Sequence, residues 1–373
     1  MQRKSASGWL GRIALFVLIT GETLAVRSAV GNQARGGQFI GITNFAAFQH
    51  LNGSRSGETV WESPEITARL NWDQLVVSWN VEMPEGGYLK VEARAIYPGH
   101  ASGYYVLGLW SMNTNRYPRE SVPNQQDADG KVATDTLILK RGCDRLQVRL
   151  TLGGDERRRP KVKYLGLCVT DTRVAPAGLP ANRAGWGRAL PVPERSQMAY
   201  PNGKVLCSPA TVSMIMAYWA QRLGRPELDE SDVSGVASAV YDAKWGGTGN
   251  WVFNTAYAGS FDGMKGYVSR FSDLSEVEDW VAAGVPVALS VCSDRLHHRG
   301  PGPNGHLVVC VGFTRDGDVV VNDPGSARNV RRVYPREDVR NAWSASHNTV
   351  YLIYPHEAEA PRDRLGHWDS SAR

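Results

Sequence analysis

The sequence predicts two domains: an N-terminal all-β sandwich or jelly roll, then a C-terminal domain of mixed α and β. Three observations carry that expectation. From about Phe39 to Thr172, apolar and polar residues alternate at period two between turn clusters. A stretch rich in Pro, Gly and Ala follows, and beyond it the pattern changes to helix, loop and strand. The length of 373 residues, 42% of them hydrophobic, exceeds one average domain.

The chain begins MQRKSASGWLGRIALFVLITGETLAVRSAVG. Arg3, Lys4 and Arg12 precede a short apolar core, Ile13 to Ile19, and small residues follow at Ala25, Ser28 and Ala29. That is the layout of a secretory signal peptide over residues 1–30, the alternative being a buried amphipathic helix. The apolar core is too short to span a bilayer, and no later run approaches that length, so no membrane span is expected in the mature protein. The expected location is exported: periplasm, cell surface or medium. The formal charge of +5 is small for this length, and the basic run ERRRP, Glu156 to Pro160, stands alone. A solvated loop explains it better than nucleic-acid binding.

The β region covers residues 37–172. In YLKVEARAIY, Leu89, Val91, Ala93, Ala95 and Tyr97 form one face, and Lys90, Glu92 and Arg94 point the other way. RLQVRLTL repeats the pattern, and LVVSWNV, YYVLGLW and DTLILK supply further strands. Nothing in this half converges on catalysis. Trp61, Trp72, Trp79 and Trp110 either stack on a carbohydrate or cell-wall ligand or simply form the core. Residues 173–189 read as a linker, 190–356 as the second domain, and 357–373 as a polar, flexible tail.

There are five cysteines. In an oxidising compartment Cys143 with Cys168, and Cys292 with Cys310, either pair or serve as small core residues; if both pairs close, Cys207 is left over. Cys207 lies in LCSPATVSMIMAYWA. Ser208 suits a cap, Pro209 the first helical position and Gly224 the end, so a helix is expected over about 209–223. A thiol at the positive pole of a helix ionises more readily and becomes a nucleophile, whereas a buried structural cysteine is the plainer reading.

A thiolate nucleophile needs a base, and histidine serves at neutral pH. His306 opens the apolar strand of NGHLVVCVGF, while His297 and His298 sit in a loop. TRDGD and DVVVNDP follow, so the chain returns as an antiparallel hairpin. With a two-residue turn at Asp316-Gly317, Asp323 lies opposite Cys310. With a four-residue loop it lies opposite Val308, and only that register, or a bulge, brings it within diagonal reach of His306. Asp323 then orients the imidazole toward Cys207, unless Asn-Asp-Pro merely turns the chain. Asn322 faces the other way. GGTGNWVFN reads either as a cleft loop with Asn250 and Trp251 binding substrate, or as a helix capped by Asn250 with Trp251 in the core. No phosphate loop or zinc spacing is present, and no cofactor or metal is expected.

Taken in order, Gln197, YPNGKVLCSPATVSMIMAYW, GGTGNWVFNTA, AAGVPVALSV and GHLVVCVGFTRDGDVVVNDPGSA resemble the C39-like cysteine peptidases, within the papain-like superfamily, over about residues 192–355. The resemblance implies an α+β papain-like fold, with Cys207 as nucleophile, His306 as base, Asp323 as orienter and Gln197 as an oxyanion donor. Gln197 stands farther upstream than the usual papain-like spacing, so YPNGKV must loop out. The activity implied is peptide-bond hydrolysis through a thioester. An acyltransferase or amidase on the same fold is the first alternative, and a catalytically silent binding protein the second. A peptide or protein is the expected substrate.

Overall fold

The computed structural model describes residues 36–55, 57–154, 159–176 and 178–369, which fall within one compact unit. The expected signal peptide, most of the ERRRP run and the last four residues lie outside the described residues.

Period-two alternation produces a first sheet of ten strands. These are β1 (Gly37–Ile42), β2 (Gln49–Asn52), β3 (Thr59–Glu62), β4 (Ile66–Glu82), β5 (Gly87–Tyr97), β6 (His100–Ala101), β7 (Tyr105–Trp110), β8 (Gly130–Ala133), β9 (Thr136–Gly154) and β10 (Lys161–Thr170). Neighbouring strands pair antiparallel, and the main path runs β1-β10-β4-β9-β3-β2. DTLILK and RLQVRLTL, read as separate strands, are halves of the single strand β9. β4 and β9 absorb the irregularity between them as register shifts around Trp72 instead of a turn. Along β5 the expected inward residues are buried, and so is one expected outward residue, Glu92.

The second sheet has seven strands: β11 (Arg188–Ala189), β12 (Met264–Arg270), β13 (Val287–Cys292), β14 (Gly305–Phe313), β15 (Val319–Asn322), β16 (Arg331–Tyr334) and β17 (Thr349–Pro355). Its main path is β12-β17-β13-β14-β15-β16, with β11 beside β14. The helices are α1 (Cys207–Leu223), α2 (Val233–Val240), α3 (Trp251–Ala258), α4 (Leu274–Ala282), α5 (Ser293–Leu296) and α6 (Arg336–Ser344). α1 packs on β14, and Thr211 Oγ1 donates to the Leu307 carbonyl at 3.1 Å, pinning helix to strand.

One apolar core runs through both sheets. Trp79 and Trp110 pack on Phe253 of α3, and Phe39 and Tyr164 on Tyr267 of β12. Asn80 Nδ2 donates to Gly266 O at 2.7 Å, and Gly266 N donates back to Asn80 Oδ1 at 3.2 Å. Trp72, Trp79 and Trp110 are fully buried and cannot stack on sugar. Trp61 is half-buried against His50.

One expectation is corrected, and one alternative left open by the sequence is decided. The tail, expected to be loose, packs through Trp368, which is 2% exposed and lies between Phe271 and Trp280. All five cysteines are free. Cys310 pairs with Val287, at the opposite end of β13 from Cys292, roughly 17 Å along the strand and beyond disulfide reach. Cys143 and Cys168 lie on strands flanking β4, opposite Trp72 and Val76, and are likewise separated. Residues 173–189 also do more than link: Asn182 N and Trp186 Nε1 donate to the two Glu278 oxygens, both at 2.6 Å, and β11 joins the sheet.

Candidate active site

Helix α1 begins at Cys207, two residues earlier than expected. Ser208 does not cap it; its hydroxyl meets the Tyr351 hydroxyl at 3.0 Å. The half-buried thiol thus sits at the first helical residue, where backbone N–H groups are unpaired and the dipole is positive. Gly224 ends the helix in the left-handed conformation, as expected.

The β14–β15 hairpin brings the other groups to that thiol. Its tip closes with Phe313 opposite Val319, and a bulge at Val311 then shifts the register, so that Cys310 faces Val321 and Val309 faces Asn322. Continuing that register sets Asp323 beside Val308, diagonal to His306. A bulge therefore supplies the shift that the simplest turn would not. His306 Nε2 lies 2.7 Å from Asp323 Oδ1, both side chains being more than nine-tenths buried. The other ring nitrogen, Nδ1, is left for Cys207, and thiol and imidazole each shift the other's pKa.

Burial opposes ionisation of Cys207, but His306, through its hydrogen bond and charge, and the Leu307 and Ser208 amides outweigh it and lower the thiol pKa. Burial would depress His306, yet the hydrogen bonds to Asp323 and Cys207 and their charges hold it up at about 10. Asp323, despite burial, is brought down to about 2 by His306, Tyr334 and the Gly325 amide. Both shifts favour the thiolate and imidazolium forms of the pair. Gly325 makes the close approach possible: a Cβ there would stand 3.2 Å from His306 Cε1 and from Asp323 Oδ1.

Tyr334, which the sequence did not single out, completes the arrangement. Its hydroxyl donates to Asp323 Oδ2 at 2.8 Å, so both carboxylate oxygens are held, and His297 Nε2 lies 3.3 Å from the same hydroxyl. The only signal in the sequence was that a strand after Asn-Asp-Pro must return along β15; RRVY carries no mark of chemistry by itself.

Gln197 is buried at 4% exposure, and its backbone N–H donates to Pro324 O at 2.9 Å, next to Asp323. YPNGKV does loop out, as two tight turns around Asn202 and Gly203–Val205. The Gln197 amide nitrogen gives one proton to Gly203 O at 2.7 Å, while Oε1 is buried without a hydrogen bond among the described residues. Asn322 faces away, binding the Val192 and Pro193 carbonyls.

Of the two expected substrate-binding residues, Asn250 is committed to a buried helix cap, and Trp251 stands at the start of that helix. Asn250 is fully buried; it caps α3 by accepting from Phe253 N, and its Nδ2 donates to Asp242 Oδ2 at 2.9 Å. A buried cap cannot meet substrate. Trp251 begins α3, half-buried against the core, with its N–H donating to Asp135 Oδ2 at 2.7 Å. The exposed ring of this segment is Trp245, which covers Gly247 and Gly249. The loop is still close to the thiol, because Thr248 Oγ1 donates to Val205 O at 2.9 Å, two residues before Cys207. The first sheet holds that loop from behind: Asp242 Oδ1 accepts from Ser121 N at 3.0 Å, and Arg119 donates to the Ser238 and Tyr241 carbonyls.

Comparison with known proteins gives two matches in series. Residues 40–170 match the Peptidase C39 N-terminal domain, and residues 189–351 match the Peptidase_C39 like family. Among solved structures, a candidate C39-like peptidase from Bacillus anthracis aligns over 44% of this chain and 97% of its own, at 16% identity and a TM-score of 0.34. The VPA0106 protein from Vibrio parahaemolyticus aligns over 86% and 88%, at 10% identity and a TM-score of 0.15. No curated protein matches.

Proposed function

We propose, because residues 189–351 match the Peptidase_C39 like family, that the protein is an exported cysteine peptidase acting through Cys207, His306 and Asp323. The observation that carries the reading is the His306 imidazole held by Asp323 at 2.7 Å and electrostatically coupled to the Cys207 thiol at the start of α1. A papain-like α+β arrangement, a cysteine helix against a sheet bearing the histidine, accommodates it.

The Cys207 thiolate attacks the peptide carbonyl carbon, forming a C–S bond and placing negative charge on the oxygen. The Cys207 N–H and the second proton of the Gln197 amide are the proposed donors to that oxygen. As the tetrahedral species collapses, the C–N bond breaks and His306 Nδ1–H protonates the leaving amine, giving a thioester. His306, now neutral, takes a proton from water, which attacks the thioester and releases acid and thiolate. Asp323 keeps the ring oriented and favours its charged form throughout. Val205, exposed two residues before the thiol, and Trp245, exposed on the loop that Thr248 ties to Val205, favour substrates with apolar side chains. Export rests on the signal-like leader alone.

Turnover of a mixed peptide library by the full chain tests the proposal. Cleavage abolished in Cys207→Ala is expected, and a Cys207→Ala chain of undiminished activity overturns it. Product analysis with added amine distinguishes hydrolysis from acyl transfer, since a transferase yields the amide adduct in place of the acid.

A further inference from the structure

The first sheet carries a cleft that the peptidase proposal leaves unused. β5 sends Leu89, Val91 and Ala93 into the core and Tyr88, Lys90 and Glu92 to the opposite face. On an open antiparallel sheet such a face is simply solvated. Here the segment Leu51–Arg55 and the pair Tyr117–Pro118 flank it, enclosing a cleft of about 640 Å³, the size of a small-molecule site.

Its floor is built from cross-strand neighbours. Arg149 of β9 lies opposite Glu62 of β3 on one side and Glu92 of β5 on the other. The guanidinium is taken by Glu62, to whose Oε2 it donates from Nε at 3.0 Å and Nη2 at 2.6 Å. Glu92 is left without it. Its side chain is only 9% exposed, and Lys90 Nζ lies 3.1 Å from Oε2, but that oxygen accepts no hydrogen bond among the described residues. With one ammonium beside it and no aligned hydrogen bond at Oε2, this enclosed carboxylate keeps acceptor capacity for a ligand hydroxyl. Beside it, the Tyr88 and Tyr117 rings lie 4.4 Å apart, and the Tyr88 hydroxyl donates to Glu58.

The lining is mixed in sign. A polyanion meets Glu58 and Glu92, a polycation meets Arg55 and Lys90, and an apolar ligand strands all four. A neutral polyol satisfies both signs, because each hydroxyl donates and accepts, and its C–H faces suit tyrosine rings. We propose that this cleft binds a neutral saccharide, with Glu92 accepting from sugar hydroxyls and Tyr88 and Tyr117 covering the ring. The buried tryptophans of this sheet take no part.

Calorimetric titration of the full chain carrying Cys207→Ala with chitotetraose N-acetylated on every ring, cellotetraose and maltotetraose tests this without reference to peptidase activity. Binding of at least one sugar is expected, weakened about tenfold or more by Glu92→Gln and by Tyr117→Ala, the latter a half-exposed loop residue whose loss leaves the sheet intact. No binding of any of the three sugars overturns the proposal, as does binding that neither substitution weakens. Preference for heparin or for an extended peptide at the same residues overturns it equally, in favour of an anion or peptide site.

Discussion

The start of α1 and the middle of β14 each bury a cysteine against the same sheet, and burial opposes ionisation at both. At Cys310 it wins: the thiol is pushed up to about 12, with one weak contact to the Gly312 carbonyl and, among the described residues, no cation hydrogen-bonded to it. At Cys207 it loses to His306 and two backbone amides, and the pKa falls. Buried aspartates differ in the same way. Asp323, facing an imidazole, a phenol and an amide, is lowered to about 2. Asp135, where burial outweighs the Trp251 amide and the Thr136 hydroxyl, rises to about 6. Burial sets a common penalty, and the donors around each group decide its charge.

The comparison is broken most severely by removing the imidazole. His306→Ala should make Cys207 behave as Cys310 does: alkylation by iodoacetamide at pH 6 should slow by about 100-fold or more, and peptide turnover should fall further still. Equal labelling rates in the parent and the variant would show that the helix terminus, not His306, activates the thiol.

Asp135 sharpens the carboxylate side. Its folded pKa is raised, so the folded state holds the proton longer than the unfolded chain, and stability falls as pH rises from about 4 to about 6. Asp323 has the opposite sign: its contribution is present above about 4 and is lost as pH falls toward about 2. In Asp135→Asn the decline between pH 4 and 6, about 3 kcal/mol at most, should disappear from urea-unfolding curves while the rise below pH 4 remains. A decline of unchanged size would assign it to another group.

Tyr334→Phe deletes one hydrogen bond to the Asp323 carboxylate, a loss of about 1.5 kcal/mol or about tenfold in kcat, with KM little changed. Because Tyr334 lowers the Asp323 pKa, the acid limb of the kcat profile should also move upward, a shift that a purely structural role for the tyrosine would not produce. The smallest effect belongs to Cys310→Ala. It should cost about 1 kcal/mol of stability and leave alkylation at pH 6 and peptide turnover within about twofold of the parent. A large loss of labelling there would reverse the assignment of the reactive thiol.

Much of the site was legible because its signals are local. A cysteine before Ser-Pro, with Gly224 downstream, marks a helix start, and an apolar run after Gly-His marks a buried strand. Asp323 was legible only conditionally, since its partner depends on a register that hairpin length alone leaves open. The bulge at Val311 decided it. Asn250 was open to two readings because a cap and a cleft wall share one composition; the hydrogen bonds to Phe253 N and Asp242 make it a cap. Tyr334 was invisible, its role arising only where β16 returns beside β15. Of the two readings of the other four cysteines, distance along and across strands decided for core residues, and sequence order does not encode that distance.

By itself the sequence determined the strand-rich first half, the thiol that begins a helix, and the family the second half resembles, because period, capping and motif order act over a few residues. Only the tertiary structure decided that both sheets share one core, that the tail is packed, that Glu92 is enclosed in a cleft, and that Tyr334 and Gly325 frame the aspartate. Those outcomes depend on distances between residues far apart in the chain, and such distances are set by register, bulges and packing.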